Sequence, residues 1–205
     1  MIDLYGHYPE LKPIEKDIKA AENLLIDCYK NDGKVLCCGN GGSCADCEHI
    51  VGELMKGFLL KRPMDENEAA AFDGYDNGEH ITATLQKGLP AISLPSQCAI
   101  LSAYNNDCDP ELVYAQLTYG YGREGDVLIG LSTSGNSKNV INAFKAAKAK
   151  GVKTIGMCGG KSCQMDDICD VVIHAPSTDT YRIQEYHLPI YHLLCANVEA
   201  YFFNK

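Results

Sequence analysis

Short apolar runs recur along the chain and alternate with longer segments in which apolar residues stand three and four positions apart. The short runs are bounded by turn residues and predict buried β-strands. These predicted strands are Lys34–Cys38, Pro90–Leu94, Asp126–Leu131, Lys153–Cys158 and Asp170–His174. The longer segments predict helices, which include Leu11–Cys28, Cys44–Leu60, Pro110–Tyr119, Ser137–Lys150 and Tyr181–Phe203. Because strands alternate with helices, the pattern predicts an α/β fold whose parallel sheet is covered on both faces.

The predicted helices near the two ends of the chain are long. The last one carries apolar side chains around most of its circumference, which predicts a helix buried in the domain or against another subunit. Pro189 lies inside it and is expected to kink it between Gln184 and His192.

The segment Lys61–Gly88 departs from this alternation. It is rich in acidic residues, with three alanines and scattered glycines, and Thr82–Lys87 could form one turn of helix. It is expected to be a surface insertion, a lid or an interface element, within a single domain that spans residues 1–205.

Composition narrows the class of protein. A length of 205 residues suits one domain, and 18 basic against 27 acidic side chains give a formal charge of −9. The acidic balance argues against nucleic acid or an anionic membrane as a partner. The chain has no apolar run near the ~18–20 residues that span a bilayer. Its opening residues also lack the pattern of a signal peptide, so a cytoplasmic protein is expected.

The chain has 11 cysteines, an odd number at irregular spacings, which does not suit a closed disulfide framework. Cys44 and Cys47 form the single C-x-x-C, which could be redox-active or half of a metal site. The favoured interpretation is that the cysteines are small buried residues in a reducing cytoplasm.

Two predicted strand-to-helix junctions are rich in Gly, Ser, Thr and Asn: Gly39–Ser43 after the first strand and Ser132–Ser137 after the third. Ligands of an open parallel sheet bind beyond the carboxyl ends of its strands, where helices begin and offer unpaired N–H groups to an anion. Neither junction matches a P-loop or a dinucleotide fingerprint. The pair predicts a phosphate site, although each junction alone could be an ordinary helix cap.

Two pairs of polar residues share helix faces. His49 and Glu53 stand four apart on the helix after the first junction, and Gln184 and His192 eight apart on the last helix. These residue types supply a base, an acid and metal ligands. The alternatives are a surface pair for His49 and Glu53 and a core histidine for His192, and spacing leaves His187 open as a substitute.

GNGGS with His49-x-x-x-Glu53, the pair Asn106-Asp107, GLSTSGNS, NAFKAAKAKGVKTIG and RIQEYH with His192 together resemble the sugar isomerase (SIS) domain. More narrowly they resemble the phosphoheptose isomerases, which convert sedoheptulose 7-phosphate into an aldose phosphate. The likeness covers nearly the whole chain outside Lys61–Gly88.

This resemblance implies a flavodoxin-like, doubly wound five-stranded parallel sheet and a homotetramer with active sites between subunits. It implies Glu53 as general base and His192 as general acid. His49, Glu53, Gln184 and His192 match a Zn²⁺ site of family members. The implied substrate-binding residues are Asn40, Gly41, Gly42, Ser43, Glu53, Asn106, Asp107, Ser132, Thr133, Ser134, Ser137 and Gln184.

The chain departs from the family pattern at two positions near the site. Lys56 is the nearest cation where the family has an Arg after the HxxxE motif, and Tyr181 stands where an acid precedes the Gln. We therefore expect a ketose–aldose isomerase of a phosphosugar, with sedoheptulose 7-phosphate as the implied substrate. The alternatives are an isomerase of another phosphosugar and a non-catalytic SIS module that binds a sugar phosphate or a protein.

Overall fold

The chain folds around one five-stranded sheet, seen in a computed structural model that describes residues 2–204. The strands are β1 Val35–Gly39, β2 Ala91–Ser93, β3 Val127–Leu131, β4 Lys153–Gly159 and β5 Val171–Ala175. Every pairing is parallel and the order is β2-β1-β3-β4-β5, the doubly wound flavodoxin-like arrangement. The predicted fold class is confirmed, and each predicted strand lies within about one residue of the observed one.

Helices cover both faces of the sheet. They are α1 Leu4–His7, α2 Glu15–Lys30, α3 Gly42–Met55, α4 Glu66–Ala70, α5 Gly78–Thr84, α6 Cys98–Asp107, α7 Val113–Tyr121, α8 Lys138–Ala149, α9 Met165–Ile168 and α10 Thr180–Phe203. Alternate side chains of a strand point to opposite faces, so Val35 and Cys37 pack with α2, α3 and α10. Leu36 and Cys38 pack with α7 and α8 on the other face. Every residue of β1 is buried, so the strand contributes side chains to an apolar core on each face of the sheet.

The helix that carries His49 ends at Met55, five residues before the predicted end at Leu60. Lys56 is extended, and the backbone N–H groups of Phe58, Leu59 and Leu60 donate to the Glu199 carboxylate instead of to helix carbonyls. A tertiary acceptor on α10 therefore decides where α3 stops.

Two further segments that precede α7 differ from the prediction. A 3-10 segment, Pro9–Ile14, precedes α2, because Pro13 cannot join an α-helical ladder. The helix α6 was not predicted, and none of its ten residues is buried, so it lacks a strong one-sided apolar pattern.

The segment Lys61–Gly88 carries α4 and α5 and is mostly exposed, but Arg62 is fully buried. The predicted helical turn at Thr82–Lys87 overlaps α5 at residues 82–84 only, because α5 ends at Thr84 and residues 85–87 are not helical. Instead Pro63 pairs with Gln86 in an antiparallel bridge, and the Lys87 N–H donates to the Arg62 carbonyl. These contacts close the base of the segment against the domain.

The last helix, α10, runs without interruption through Pro189. Eleven of its 24 residues are buried, including Tyr191, His187 and Glu199, which agrees with the pattern of apolar residues around it. Among residues 2–204, no helix combines the length and hydropathy that a bilayer crossing requires.

Candidate active site

The two predicted phosphate junctions lie next to each other at the carboxyl ends of two central strands. They follow β1 and β3, which are neighbours at the point where the strand order reverses, the usual ligand position in such sheets. Asn40 and Asn139 exchange amide hydrogen bonds of 2.9 Å in both directions, which joins the first junction to the start of α8. The positive φ of Gly41, +57°, turns the chain from β1 into α3.

The junction after β3 is a compact turn of hydroxyl groups. Ser132 is buried and its Oγ lies 2.8 Å from Ser137 Oγ and 3.4 Å from Ser134 Oγ. Gly135 has φ +64°, so a side chain there would be strained. Hydroxyls and the N-terminus of α8 therefore face the same region, as a phosphate site requires.

A cavity of about 250 Å³ lies beside this turn, between the ends of β3, β4 and β5 and the start of α10. Thr133 and Ser134 line one side, and Lys161, Ser162 and Thr178 line another. Sequence reasoning missed the Gly159–Ser162 stretch. It is a third junction of the same type, and its place directly after the fourth predicted strand was the signal that could have found it.

One turn of α3 and one turn of α10 bring three side chains together. His49 Nε2 lies 3.1 Å from Glu53 Oε1 and 3.3 Å from His192 Nε2. One ligand atom from each of the three side chains lies within 4.8 Å of the others. The spacing of four within α3 was visible in the sequence, whereas the approach of His192 depends on how α10 packs on α3.

Tyr191 and Asp46 fix the orientation of the His49 ring. The Tyr191 hydroxyl lies 3.1 Å from Asp46 Oδ1 and 2.9 Å from His49 Nδ1. An ionised carboxylate only accepts, so Tyr191 donates its proton to Asp46 and accepts from His49 Nδ1–H. His49 Nε2 is then an acceptor that faces the acceptor Glu53 Oε1, and this arrangement needs a shared proton or a cation between them.

The remaining electrostatics of the cluster also suit a cation. Burial and the nearby His49 lower the pKa of His192, although Glu53 opposes this, so the neutral ring that binds metals is favoured. Glu53 Oε2 is buried and has no hydrogen-bond partner among the described residues. Two imidazole nitrogens and a carboxylate oxygen are a common donor set for Zn²⁺.

Comparison with known proteins places this arrangement in a family. The model of the SIS domain matches residues 11–87 and 80–159. This chain belongs to the SIS domain family. It is 38% identical over 95% of its length to the phosphoheptose isomerase of Helicobacter pylori strain P12, covering 89% of that protein. It is 40% identical over 92% of its length to that of Burkholderia pseudomallei strain K96243, covering 83% of it.

A solved structure shows the same architecture. The phosphoheptose isomerase GmhA of Neisseria gonorrhoeae superposes with a TM-score of 0.71 at 31% sequence identity, over 94% of this chain and 96% of that one. Within the SIS domain family, this chain therefore belongs with the phosphoheptose isomerases.

Three other predicted site residues of this SIS domain, Gln184, Asn106 and Asp107, lie outside the cluster of His49, Glu53 and His192. The Gln184 amide lies against Gly42, so that a Cβ at Gly42 would be 2.7 Å from Gln184 Nε2. Gln184 thus borders the first junction. Asn106 and Asp107 are exposed at the end of α6 and hydrogen-bond to each other at 2.8 Å.

His187 is fully buried in this SIS domain and points to the sheet, where its Nε2 lies 3.4 Å from the Cys158 carbonyl. Burial lowers its pKa to about 4. It is a core histidine, which leaves His192 as the histidine of α10 that faces Glu53.

Proposed function

We propose that this chain catalyses ketose–aldose isomerisation of a phosphosugar, with sedoheptulose 7-phosphate as substrate. The observation that carries the proposal is that Glu53 and His192 converge at the end of the sheet that also carries the phosphate junctions. The named relatives are phosphoheptose isomerases, which supports the same reaction.

The reaction moves a proton between two adjacent carbons of the sugar through an enediol. It needs a base at the carbon-bound proton and an acid at the carbonyl oxygen. Glu53 is the base in our proposal, because its Oε2 has no hydrogen-bond partner among residues 2–204 and its lone pairs can accept a proton. His192 is the acid in our proposal, because its ring lies beside Glu53 and His49 in the same cluster and an imidazole can give a proton to the carbonyl oxygen.

The phosphate group anchors the sugar so that the reacting carbons stay aligned with Glu53 and His192. We assign its binding to the hydroxyls of Ser132, Thr133, Ser134 and Ser137 and to the backbone of Asn40, Gly41, Gly42 and Ser43. These groups bind an anion without a net positive charge, which reconciles the substrate with a formal charge of −9. Lys161 adds a cation at the rim of the neighbouring cavity.

His49, Glu53 and His192 would hold a divalent cation such as Zn²⁺, with Gln184 as a further candidate ligand. When bound, such an ion supplies Lewis-acid polarisation of the carbonyl oxygen. Within this chain the role of Tyr191 and Asp46 is to present the free lone pair of His49 to that position.

A cytoplasmic homotetramer with shared active sites completes the proposal. The helix α6 supports it: Ile100 is 37% exposed and no residue of that helix is buried within the chain. Asn106 and Asp107, at the end of α6, are available to contact substrate that is bound in the active site of a neighbouring subunit.

The decisive experiment compares Glu53→Gln and His192→Gln with the wild type on a panel of ketose phosphates of five, six and seven carbons, with the aldose product followed by NMR. Loss of an acid or base costs roughly 100- to 10,000-fold in rate. His80→Gln, at an exposed position of α5, is the matched control. Full-rate isomerisation by Glu53→Gln overturns its role, and binding without conversion by the wild type identifies a non-catalytic module.

A further inference from the structure

Two cysteines pack against the junction Ser132–Ser137 that follows β3, which we call the phosphate turn. Cys158 is the last but one residue of β4 and is buried, and Cys163 follows five residues later, where it is half-buried. Their Sγ atoms are 3.6 Å apart, and both are thiols in this structure. A disulfide needs a separation of about 2.05 Å, so a movement of about 1.5 Å would join them.

A histidine and a carboxylate border this pair. His174 Nδ1 lies 3.4 Å from Cys158 Sγ, and its Nε2 lies 2.8 Å from Asp166 Oδ1. Asp166 also accepts the backbone N–H of Cys163 at 2.9 Å. This bond holds residues 158–163, which we call the cysteine turn, in place. His174 Nδ1 also lies 2.8 Å from the Gly159 carbonyl, which can only accept, so this nitrogen carries a hydrogen. The ring therefore presents an N–H group to the Cys158 sulfur and holds the end of β4 in place.

The cysteine turn is packed against the phosphate turn. The sulfur of Cys163 lies 2.1 Å from the place where a Cβ of Gly135 would be, and the Cys158 Cβ lies 3.3 Å from it. The backbone N–H of Gln164 donates to the Asn136 side chain at 3.0 Å, and that of Gly159 donates to the Thr133 carbonyl at 3.1 Å. A displacement of Cys163 is therefore transmitted to residues 133–136.

We propose that Cys158 and Cys163 form a reversible disulfide that weakens the binding of the sugar phosphate. The oxidant is a low-molecular-weight disulfide. The half-exposed Cys163 thiolate attacks one of its sulfurs and releases one thiolate. Cys158 then gives its proton to the thiolate released first and attacks the Cys163 sulfur of the mixed disulfide, which releases the second thiolate. Two protein thiols are oxidised, and one external disulfide is reduced to two thiols.

The consequence follows from the packing. Once bonded to Cys158, the Cys163 sulfur no longer occupies its present position beside Gly135, and the packing that supports the phosphate turn changes. A misplacement of about 1 Å in a site costs up to 100-fold in rate. Because the phosphate turn binds the part of the substrate that does not react, the change is expected mainly as a rise in KM, of roughly tenfold or more. This effect on KM rests on the proposed isomerase function, whereas formation of the disulfide does not.

The test exposes the purified full-length protein to glutathione disulfide, then to dithiothreitol, and compares it with Cys163→Ser, Cys163→Ala and Cys98→Ser. Cys98 is an exposed cysteine at the start of α6 and serves as the control. Peptide mass spectrometry identifies the linked pair, and KM is measured in each state, with each variant compared with its own reduced form.

We expect a Cys158–Cys163 link and a reversible rise in KM in the wild type and in Cys98→Ser, and neither in the two Cys163 variants. A different linked pair, or no link, overturns the proposal. So does an unchanged KM in protein shown to carry the link, or a Cys163 variant that stays sensitive. If the reduced wild type isomerises no ketose phosphate, the proposed function fails, and inorganic phosphate binding by calorimetry then tests the effect of the link.

Discussion

A buried ion pair holds the end of the helix that carries Glu53. Arg62 and Glu199 are both fully buried, and Arg62 Nε donates to Glu199 Oε1 at 2.8 Å. The other guanidinium nitrogens of Arg62 donate to the carbonyls of Leu54 at 2.6 Å and Glu53 at 3.0 Å. Burial by itself would raise the pKa of Glu199, but hydrogen bonds from the backbone and from Arg62 outweigh it and lower that pKa.

We predict that Arg62→Met destabilises the protein strongly. It removes three hydrogen bonds of the guanidinium and leaves the Glu199 carboxylate buried without its cation. Breaking a buried pair by removing one partner costs about 3–5 kcal/mol. For a chain of this length that corresponds to a decrease in Tm of roughly 6–20 °C. Lys61→Met is the matched control, because Lys61 is the exposed neighbour and loses the same charge.

Urea denaturation of both variants measures the difference in the free energy of unfolding. Isomerisation kinetics at a temperature where Arg62→Met remains folded report the position of Glu53, and we expect a lower kcat because the Glu53 carbonyl has lost its anchor. A cost within 1 kcal/mol of that of Lys61→Met would show that the pair is compensated by solvent and would refute this reasoning.

Further predictions concern the site and the core. Tyr191→Phe leaves the Nδ1–H of His49 without its acceptor and should weaken Zn²⁺ affinity about 10- to 100-fold in a chelator competition; unchanged affinity would count against the metal site. The lowered pKa of His187, about 4 against 6.5, means that the unfolded chain takes up a proton first as pH falls, so about 3 kcal/mol of stability should be lost between pH 7 and pH 4. In urea titrations His187→Gln should lose that part of the pH dependence, and a parallel pH profile would contradict the assignment. Gly42→Ala puts a Cβ 2.7 Å from Gln184 Nε2, a flexible group, so KM should rise several-fold with little change in the urea midpoint; an unchanged KM would remove Gln184 from the site.

The local pattern of the chain was sufficient for the sheet and for the outline of the site. Runs such as Asp126–Leu131 form central parallel strands that are buried on both faces. Because both faces are buried, such a strand has a continuous apolar run in the sequence, and this run predicts it. The phosphate junctions could be predicted from their residue types, because a strand-to-helix turn that approaches an anion needs glycine and hydroxyl residues. His49 and Glu53 were paired by the helical repeat alone.

Tertiary structure decided what depends on contacts between distant segments. The Glu199 carboxylate ends α3 at Met55 because it accepts the N–H groups that would otherwise continue the helix. Packing of α10 on α3 selects His192 over His187, since one helix face meets Glu53 and the other meets the sheet. Short-range periodicity records which residues must be buried or turn the chain, but partners more than a hundred positions apart are chosen by packing.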